Sequence, residues 1–161
     1  MSRAVAGIGM TSQRTRTRMI DRLREQGIRD ERVLAAIAAV PRHVFVEEAL
    51  ASRAYEDTAL PLGFSQTISQ PYIVARMIEV LREGRELGKT LEIGAGCGYQ
   101  AAVLAQLTDD VYAVERIEPL LAKAKLNMRT IQQFKVRLKY ADGNLGLPEA
   151  APYDTIIVAA A

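Results

Sequence analysis

The residues with the clearest chemical potential are a run of glycines and three acids spaced behind it. Glu92-Ile93-Gly94-Ala95-Gly96-Cys97-Gly98-Tyr99 puts glycine at alternate positions, where positive φ is accessible and no Cβ holds a ligand off the backbone. A helix starting behind such a turn offers free N–H groups to a carboxylate or phosphate. Glu115 lies 17 residues past Gly98. A carboxylate at that spacing can accept both ribose hydroxyls of a nucleoside, each in a charge-assisted bond of roughly 1.5–3 kcal/mol. Asp142-Gly143 follows the next apolar stretch, where an acid and a tight turn can meet an adenine edge.

The type of nucleoside follows from what departs from the dinucleotide pattern. G-x-G-x-x-G would place its third glycine at position 99, which is Tyr99. Bulk there disturbs the close helix–strand packing that dinucleotide sites use. Glu92, two residues before the first glycine, is badly placed beside a pyrophosphate. It suits a cofactor whose end is cationic, and S-adenosylmethionine carries an ammonium and a sulfonium and no phosphate. The plain alternative is a tight strand-to-helix connection without a ligand.

A second cluster, Ser65-Gln66-Thr67-Ile68-Ser69-Gln70-Pro71, concentrates hydroxyls and amides ahead of a helix. Capping by Ser69 or Gln70 explains many such clusters. Here the polar density exceeds one cap, and the segment follows the apolar Leu60-Pro61-Leu62-Gly63, which suggests a substrate-facing lid with a role for Ser69. His43, the sole histidine, reads as a packing or solvent-facing residue. Cys97 reads as a small packing residue, although a helix N-terminus can lower a thiol pKa. One histidine and one cysteine make no metal site.

These groups need a scaffold, and the hydrophobic pattern supplies one. Residues 12–26 read as a helix with Met19, Ile20 and Leu23 on one face and Gly27 as its stop. Asp30 can cap a second helix that carries Val33, Leu34, Ile37 and Val40 and ends at Pro41. Residues 42–63 look irregular, and Pro71 opens a helix with Ile73, Val74, Met77, Ile78 and Leu81 in one stripe. After Gly88 the pattern alternates: strand 90–93, helix 99–107, strand 110–114, helix 118–131, then strands 136–140 and 155–158. Strands separated by such helices imply right-handed crossovers and a parallel sheet. The expected organisation is a flexible leader (1–11), a helical and lid segment (12–88) and a Rossmann-like cofactor-binding portion (89–161), all within one domain.

Composition narrows the classes. With 161 residues, 49% of them hydrophobic, and a net charge of +2, the chain is neither disordered nor collagen-like. Residues 1–32 hold eight arginines against four acids, but no aromatics are interleaved to stack on bases, so a solvated helix face is expected instead of a nucleic-acid site. One cysteine excludes an intrachain disulfide framework. No apolar run approaches the roughly 20 residues of a membrane span, and Ala4-Val5-Ala6 is too short for a signal segment. A cytoplasmic protein without membrane or nucleic-acid partners, and monomeric, is the expectation.

Several segments resemble protein-L-isoaspartate O-methyltransferases. They are Gly27 to Leu34, Val40 to Val46, Ala54 to Asp57, Ala59 to Gly63, Gln66 to Pro71, Leu91 to Gln100 and Ala151 to Asp154. The resemblance runs from about residue 12 to the last residue. Its specific part is Gln-Thr-Ile-Ser-Gln-Pro, since many methyltransferases share the glycine turn. It implies a class I S-adenosylmethionine-dependent α/β fold with an N-terminal helical extension. It also implies methyl transfer to the free α-carboxylate of L-isoaspartyl residues in damaged proteins, with S-adenosylhomocysteine as product and isoaspartyl peptides and proteins as partners. The ester then collapses to a succinimide, a route of repair.

By position, the resemblance implies an active-site hydroxyl at Ser69 with Thr67 beside it. It implies cofactor contacts at Gln66, Thr67, Ile68, Ser69, Glu92, Gly94, Gly96, Gly98, Glu115, Arg116, Asp142 and Gly143, and substrate contacts at Leu60, Pro61, Val158 and Ala159. The departures are Ser65 for a more usual glycine, Ala95 and Cys97 for hydroxyl residues, Asn144 for an aromatic, and no threonine after Val158. The family continues past a fourth strand, so the pattern predicts a sheet cut short there, with Ile156-Ile157-Val158 on an exposed edge and reduced stability or activity. Other readings stay open: a methyltransferase for a small molecule or RNA, a binding module without turnover, and, disfavoured by Tyr99, a dehydrogenase.

Overall fold

The computed structural model describes residues 3–160. Residues 3–11, expected as a leader, carry one helical turn, α1 (Arg3–Ala6), and a 3-10 turn at Gly9–Thr11, with Val5 buried. Residues 1 and 2 of that leader, like residue 161, lie outside the described residues.

Two helices follow, each stopped or started by the residue the pattern singled out. In α2 (Gln13–Glu25), Met19, Ile20 and Leu23 are buried. Gly27 adopts φ +105°, and Ile28 N–H returns to the Leu23 carbonyl at 3.1 Å while Gly27 N–H meets that of Arg24. Only a residue tolerant of positive φ closes the helix this way. In α3 (Glu31–Ala39), Asp30 Oδ1 accepts from the N–H groups of Arg32 and Val33 at 3.0 and 3.3 Å, satisfying donors that the first turn leaves free.

The stretch from 42 to 70 is more ordered than its sequence suggests. Two 3-10 segments, Arg42–Phe45 and Glu48–Arg53, lead into an antiparallel hairpin of β1 (Leu60–Gly63) and β2 (Gln66–Ile68). Its turn residues Phe64 and Ser65 have φ of +56° and +57°. Such turns normally announce themselves with Asn-Gly or Asp-Gly, and left-handed backbone at a residue with a Cβ costs roughly 1–2 kcal/mol. Without that signal the hairpin was illegible. Helix α4 (Pro71–Leu81) begins at Pro71, and its cap residue Gln70 makes no side-chain capping bond. Capping by Gln70 therefore does not account for the hydroxyl-rich segment, of which Gln66–Ile68 is strand.

The remaining elements are β3 (Thr90–Ile93), α5 (Tyr99–Leu104), β4 (Val111–Glu115), α6 (Glu118–Thr130), β5 (Val136–Tyr140) and β6 (Thr155–Val158). Helix α5 stops at Leu104, three residues earlier than expected, and β4 runs on to include Glu115. The four strands form a parallel sheet in the order β5-β4-β3-β6. Period-two alternation sends Glu92, Ala113, Glu115 and Ile157 to one face, where the large core of helices and hairpin lies; Leu91 and Val114 point to the other, against Leu147. Strand β6 is an edge among the described residues, with Ile156 and Val158 about half exposed, but Ile157 is buried, contrary to an exposed run of three.

Candidate active site

The site forms where the sheet changes direction. From the central β3 the chain runs to β4 and β5 on one side and then crosses back to β6 on the other, and a crevice opens at the carboxyl ends of the strands where that order reverses. Two adjoining clefts occupy it. The outer one, of about 250 Å³, is lined by Gln66, Gly94, Glu115, Arg116, Asp142, Gly143 and Val158 among others. The inner and smaller one is lined by Gln66, Thr67, Ile68, Ser69, Glu92, Gly94, Gly96 and Ala159. Gln66 and Gly94 face both. The fold thus brings Gln66 and Val158, 92 positions apart in sequence, to one crevice.

Three singled-out residues lie elsewhere. Gly98 sits behind the turn, at φ +93°, where a Cβ would come within 2.9 Å of Met128 Cε and 3.3 Å of Ala124 Cβ on α6. It permits helix packing and does not face the clefts. Leu60 is buried in the core and Pro61 is exposed on the other side of β1, and neither lines a cleft.

The glycine turn is tied down by its neighbours. Gly94 N–H and Ala95 N–H both donate to the Val114 carbonyl, at 3.0 and 2.9 Å. A Cβ on Gly94, whose φ is +88°, would stand 2.8 Å from Ala160 N and Cβ. Glu115 takes the Gly96 N–H on Oε1 at 2.8 Å and the Ile117 N–H on Oε2 at 2.9 Å. Each carboxylate oxygen keeps a further lone pair for a ligand hydroxyl. Asn127, buried on α6, donates from Nδ2 to the Cys97 carbonyl at 3.0 Å. The sequence reading missed this residue, although an asparagine in an apolar helical stripe is a signal of a buried polar tie. It also missed Ile117 in the outer cleft and Gln100 in the inner one, while Asn144, noted as a departure from the family, lines the outer cleft. Asp142 Oδ1 accepts from Asn144 N–H at 2.9 Å, which shapes the loop after β5.

Glu92 contrasts with all of these. It is fully buried, and neither carboxylate oxygen has a hydrogen-bond partner among the described residues. Burial pushes its pKa well above the usual carboxylate value, and the nearby Glu115 charge adds to the rise, while Gln100 opposes it. Burial likewise lifts the Cys97 thiol to about 11, against the pull of the Arg42 charge. The Tyr99 backbone N–H at the start of the helix also pulls it down, but desolvation outweighs both. His43 is buried, with Nδ1 2.8 Å from the Tyr55 hydroxyl, and so packs as expected.

Comparison with known proteins gives the site its context. Residues 14–161 match the family described as protein-L-isoaspartate(D-aspartate) O-methyltransferase. The chain belongs to this family. A protein-L-isoaspartate O-methyltransferase of Dechloromonas aromatica (strain RCB) is 81% identical over 156 residues, which cover 96% of this chain and 72% of that protein. A solved protein-L-isoaspartate O-methyltransferase superposes with a TM-score of 0.79 at 31% identity, covering 89% of this chain. The chain spans about half, 47%, of that solved chain's length. A Plasmodium falciparum protein solved in complex with S-adenosyl-L-homocysteine shares the fold, with a TM-score of 0.71 at 21% identity over 90% of this chain and 73% of that one.

The family uses S-adenosylmethionine to methylate isoaspartyl residues, and the parallel sheet with its helices is the class I methyltransferase core. The residues present fit that cofactor. An orphaned buried carboxylate, Glu92, is a poor neighbour for a phosphate and a good one for a cation. Glu115 is preset by two backbone bonds for a diol. Among the described residues, no helix is long and apolar enough to cross a membrane.

Proposed function

We propose that this chain binds S-adenosylmethionine across the ends of β3 and β4 and presents its methyl group to the α-carboxylate of an L-isoaspartyl residue beside Ser69. The observation that carries this reading is the meeting of β2 and the glycine turn: Thr67, Ser69, Glu92 and Gly96 line one cleft, although the first and last are 29 residues apart.

Each residue has a physical task. Glu115 accepts ribose hydroxyls with the lone pairs its backbone partners leave free, Asp142 and Gly143 border the adenine, and Glu92 faces the cationic amino-acid end. Gln66 spans the two clefts, with Arg116 at the rim of the outer one. When bound, the cofactor supplies an electrophilic methyl on a sulfonium. An isoaspartyl carboxylate with a pKa near 4 is already ionised at neutral pH, so this chain need not provide a general base. Its contribution is orientation, which can be worth several kcal/mol when reacting atoms are held in line. Ser69 and Thr67 orient the carboxylate by hydrogen bonding, and Ser69 is not a nucleophile. Val158 and Ala159, at the end of β6, flank the incoming peptide.

Calorimetric titration with S-adenosylhomocysteine, followed by methylation of an isoaspartyl peptide against its aspartyl isomer, tests the reading. Micromolar binding and methylation of the isoaspartyl form alone are expected. Equal methylation of both peptides, or no binding by the folded chain, overturns it.

A further inference from the structure

Arg42 is one of the largest fully buried side chains and has no carboxylate partner among the described residues. Its guanidinium instead gathers main-chain carbonyls. Nε donates to the Ala54 carbonyl at 2.7 Å, and Nη2 donates to those of Ser69 at 2.8 Å and Thr58 at 3.4 Å. The guanidinium carbon stands 4.8 Å from the centroid of the Tyr99 ring. Nη1, also buried, finds no acceptor among the described residues.

Desolvating a charge without an opposite partner is costly. Neutral side chains could fill the same volume, so the arrangement asks for a reason, and its connections suggest one. Ser69 is the residue between β2 and α4 that closes the inner cleft, and Tyr99 is the first residue after the glycine turn. Arg42 touches both, through one planar group. We propose that Arg42 is a positioning residue that clamps the Ser69 segment onto the cofactor turn and so sets the height of Ser69 over the reacting atoms. The proposal rests on the function proposed above. A lysine performs this task less well, because its compact ammonium lacks the planar, spread fork of donors that reaches carbonyls on separate segments while its face stacks on a ring. Arg42 touches no reacting atom, so it acts only through the residues it holds.

Cys97 gives a readout independent of catalysis. It is the only cysteine, it is buried, and it lines the inner cleft with Ser69, so a neutral alkylating reagent reaches it when the Ser69 segment lifts or when the whole chain unfolds. The experiment compares iodoacetamide labelling of the wild-type chain, Arg42→Lys, and Leu23→Ala. The last removes core volume in α2, outside both clefts, and controls for global loss of stability.

At matched stability, Arg42→Lys is expected to label about tenfold faster than Leu23→Ala. Its kcat on an isoaspartyl peptide should fall by about tenfold or more, while KM for S-adenosylmethionine changes less than about threefold, as displacement of a positioned group by an ångström costs rate more than binding. Labelling of Arg42→Lys no faster than that of the control, or an unchanged kcat, overturns the clamp. If Arg42→Lys does not fold, hydrogen exchange on the wild-type chain decides. Amides of 66–70 exchanging as slowly as those of 42–46 support the clamp, and exchange at the rate of an unrestrained loop overturns it. A wild-type chain that transfers no methyl group removes the proposed function, and the labelling comparison still settles the role of Arg42.

Discussion

Glu92 and Glu115 are the same residue type on neighbouring parallel strands, both buried on the same face of the sheet, and their surroundings differ in every other respect. Glu115 ends β4, and each of its oxygens receives a backbone N–H. Glu92 lies one residue inside the end of β3, and neither of its oxygens has a hydrogen-bond partner among the described residues. A carboxylate fed by backbone donors belongs to the architecture of the turn: it stabilises the loop and waits with its remaining lone pairs. A carboxylate without donors is held at an energetic disadvantage that a proton or a cationic ligand relieves. The lesson is that identical residues in one crevice divide into a preset acceptor and an electrostatically unsatisfied one, according to what the backbone around them donates.

The strongest way to break this contrast is to remove the satisfied acid. Glu115→Ala leaves the Gly96 and Ile117 N–H groups without their acceptor and takes away the diol acceptor as well. Affinity for S-adenosylhomocysteine, measured by calorimetry, is expected to fall by about 100-fold or more, as two charge-assisted bonds disappear. An effect under tenfold contradicts the role given to Glu115.

The turn between the two acids is tested by two alanines. Gly94→Ala meets backbone of Ala160 at 2.8 Å and must also hold φ +88°, so something must shift. Gly96→Ala holds φ +57° and meets only Leu62 Cδ1 at an ordinary 3.5 Å. Urea unfolding should therefore show about 1–2 kcal/mol lost for Gly96→Ala, the left-handed penalty alone, and more for Gly94→Ala. Equal losses would show that close approach to Ala160, just past β6, does not constrain the turn.

Replacing the unsatisfied acid sharpens the contrast with a smaller effect. The raised pKa of Glu92 means that the folded chain holds a proton that the unfolded chain releases near the ordinary carboxylate value of 4.5. Stability from this group is fully present below that value. It is lost as pH rises toward and through the folded pKa, at up to about 1.4 kcal/mol per pH unit. Glu92→Gln should flatten this decline and be more stable than wild type at the alkaline end of the window. Because a cation favours the ionised form, wild-type binding of S-adenosylhomocysteine should strengthen with pH across the same window and release a proton. Glu92→Gln should bind about tenfold more weakly where wild-type Glu92 is ionised, and without the release, readable by calorimetry in buffers of different ionisation enthalpy. Proton release that persists in Glu92→Gln assigns the titration to another group.

Much of the scaffold was legible because it is written in short-range terms. Asp30 as a cap, Gly27 as a helix stop, Pro71 as a first helical residue and the strands at 90–93, 136–140 and 155–158 all depend on neighbours within a few positions. The hairpin at 60–68 was not legible, since Phe64-Ser65 lacks the turn chemistry that marks such a bend. In the site, the glycines and Glu115 were visible as motifs, but Asn127 and Arg42 act through main-chain carbonyls 27 to 30 residues distant, and no local pattern records that.

Residue type and glycine spacing pointed to the cofactor type, the hydrophobic period to the alternation of strands and helices, and the resemblance of short motifs to the family, because all of these are local properties of the chain. Which buried acid is satisfied and which glycine is forced by close packing emerge only in the folded chain. Those outcomes depend on which distant N–H, carbonyl or side chain arrives within hydrogen-bonding distance once the layers pack, and burial then fixes the electrostatic consequence.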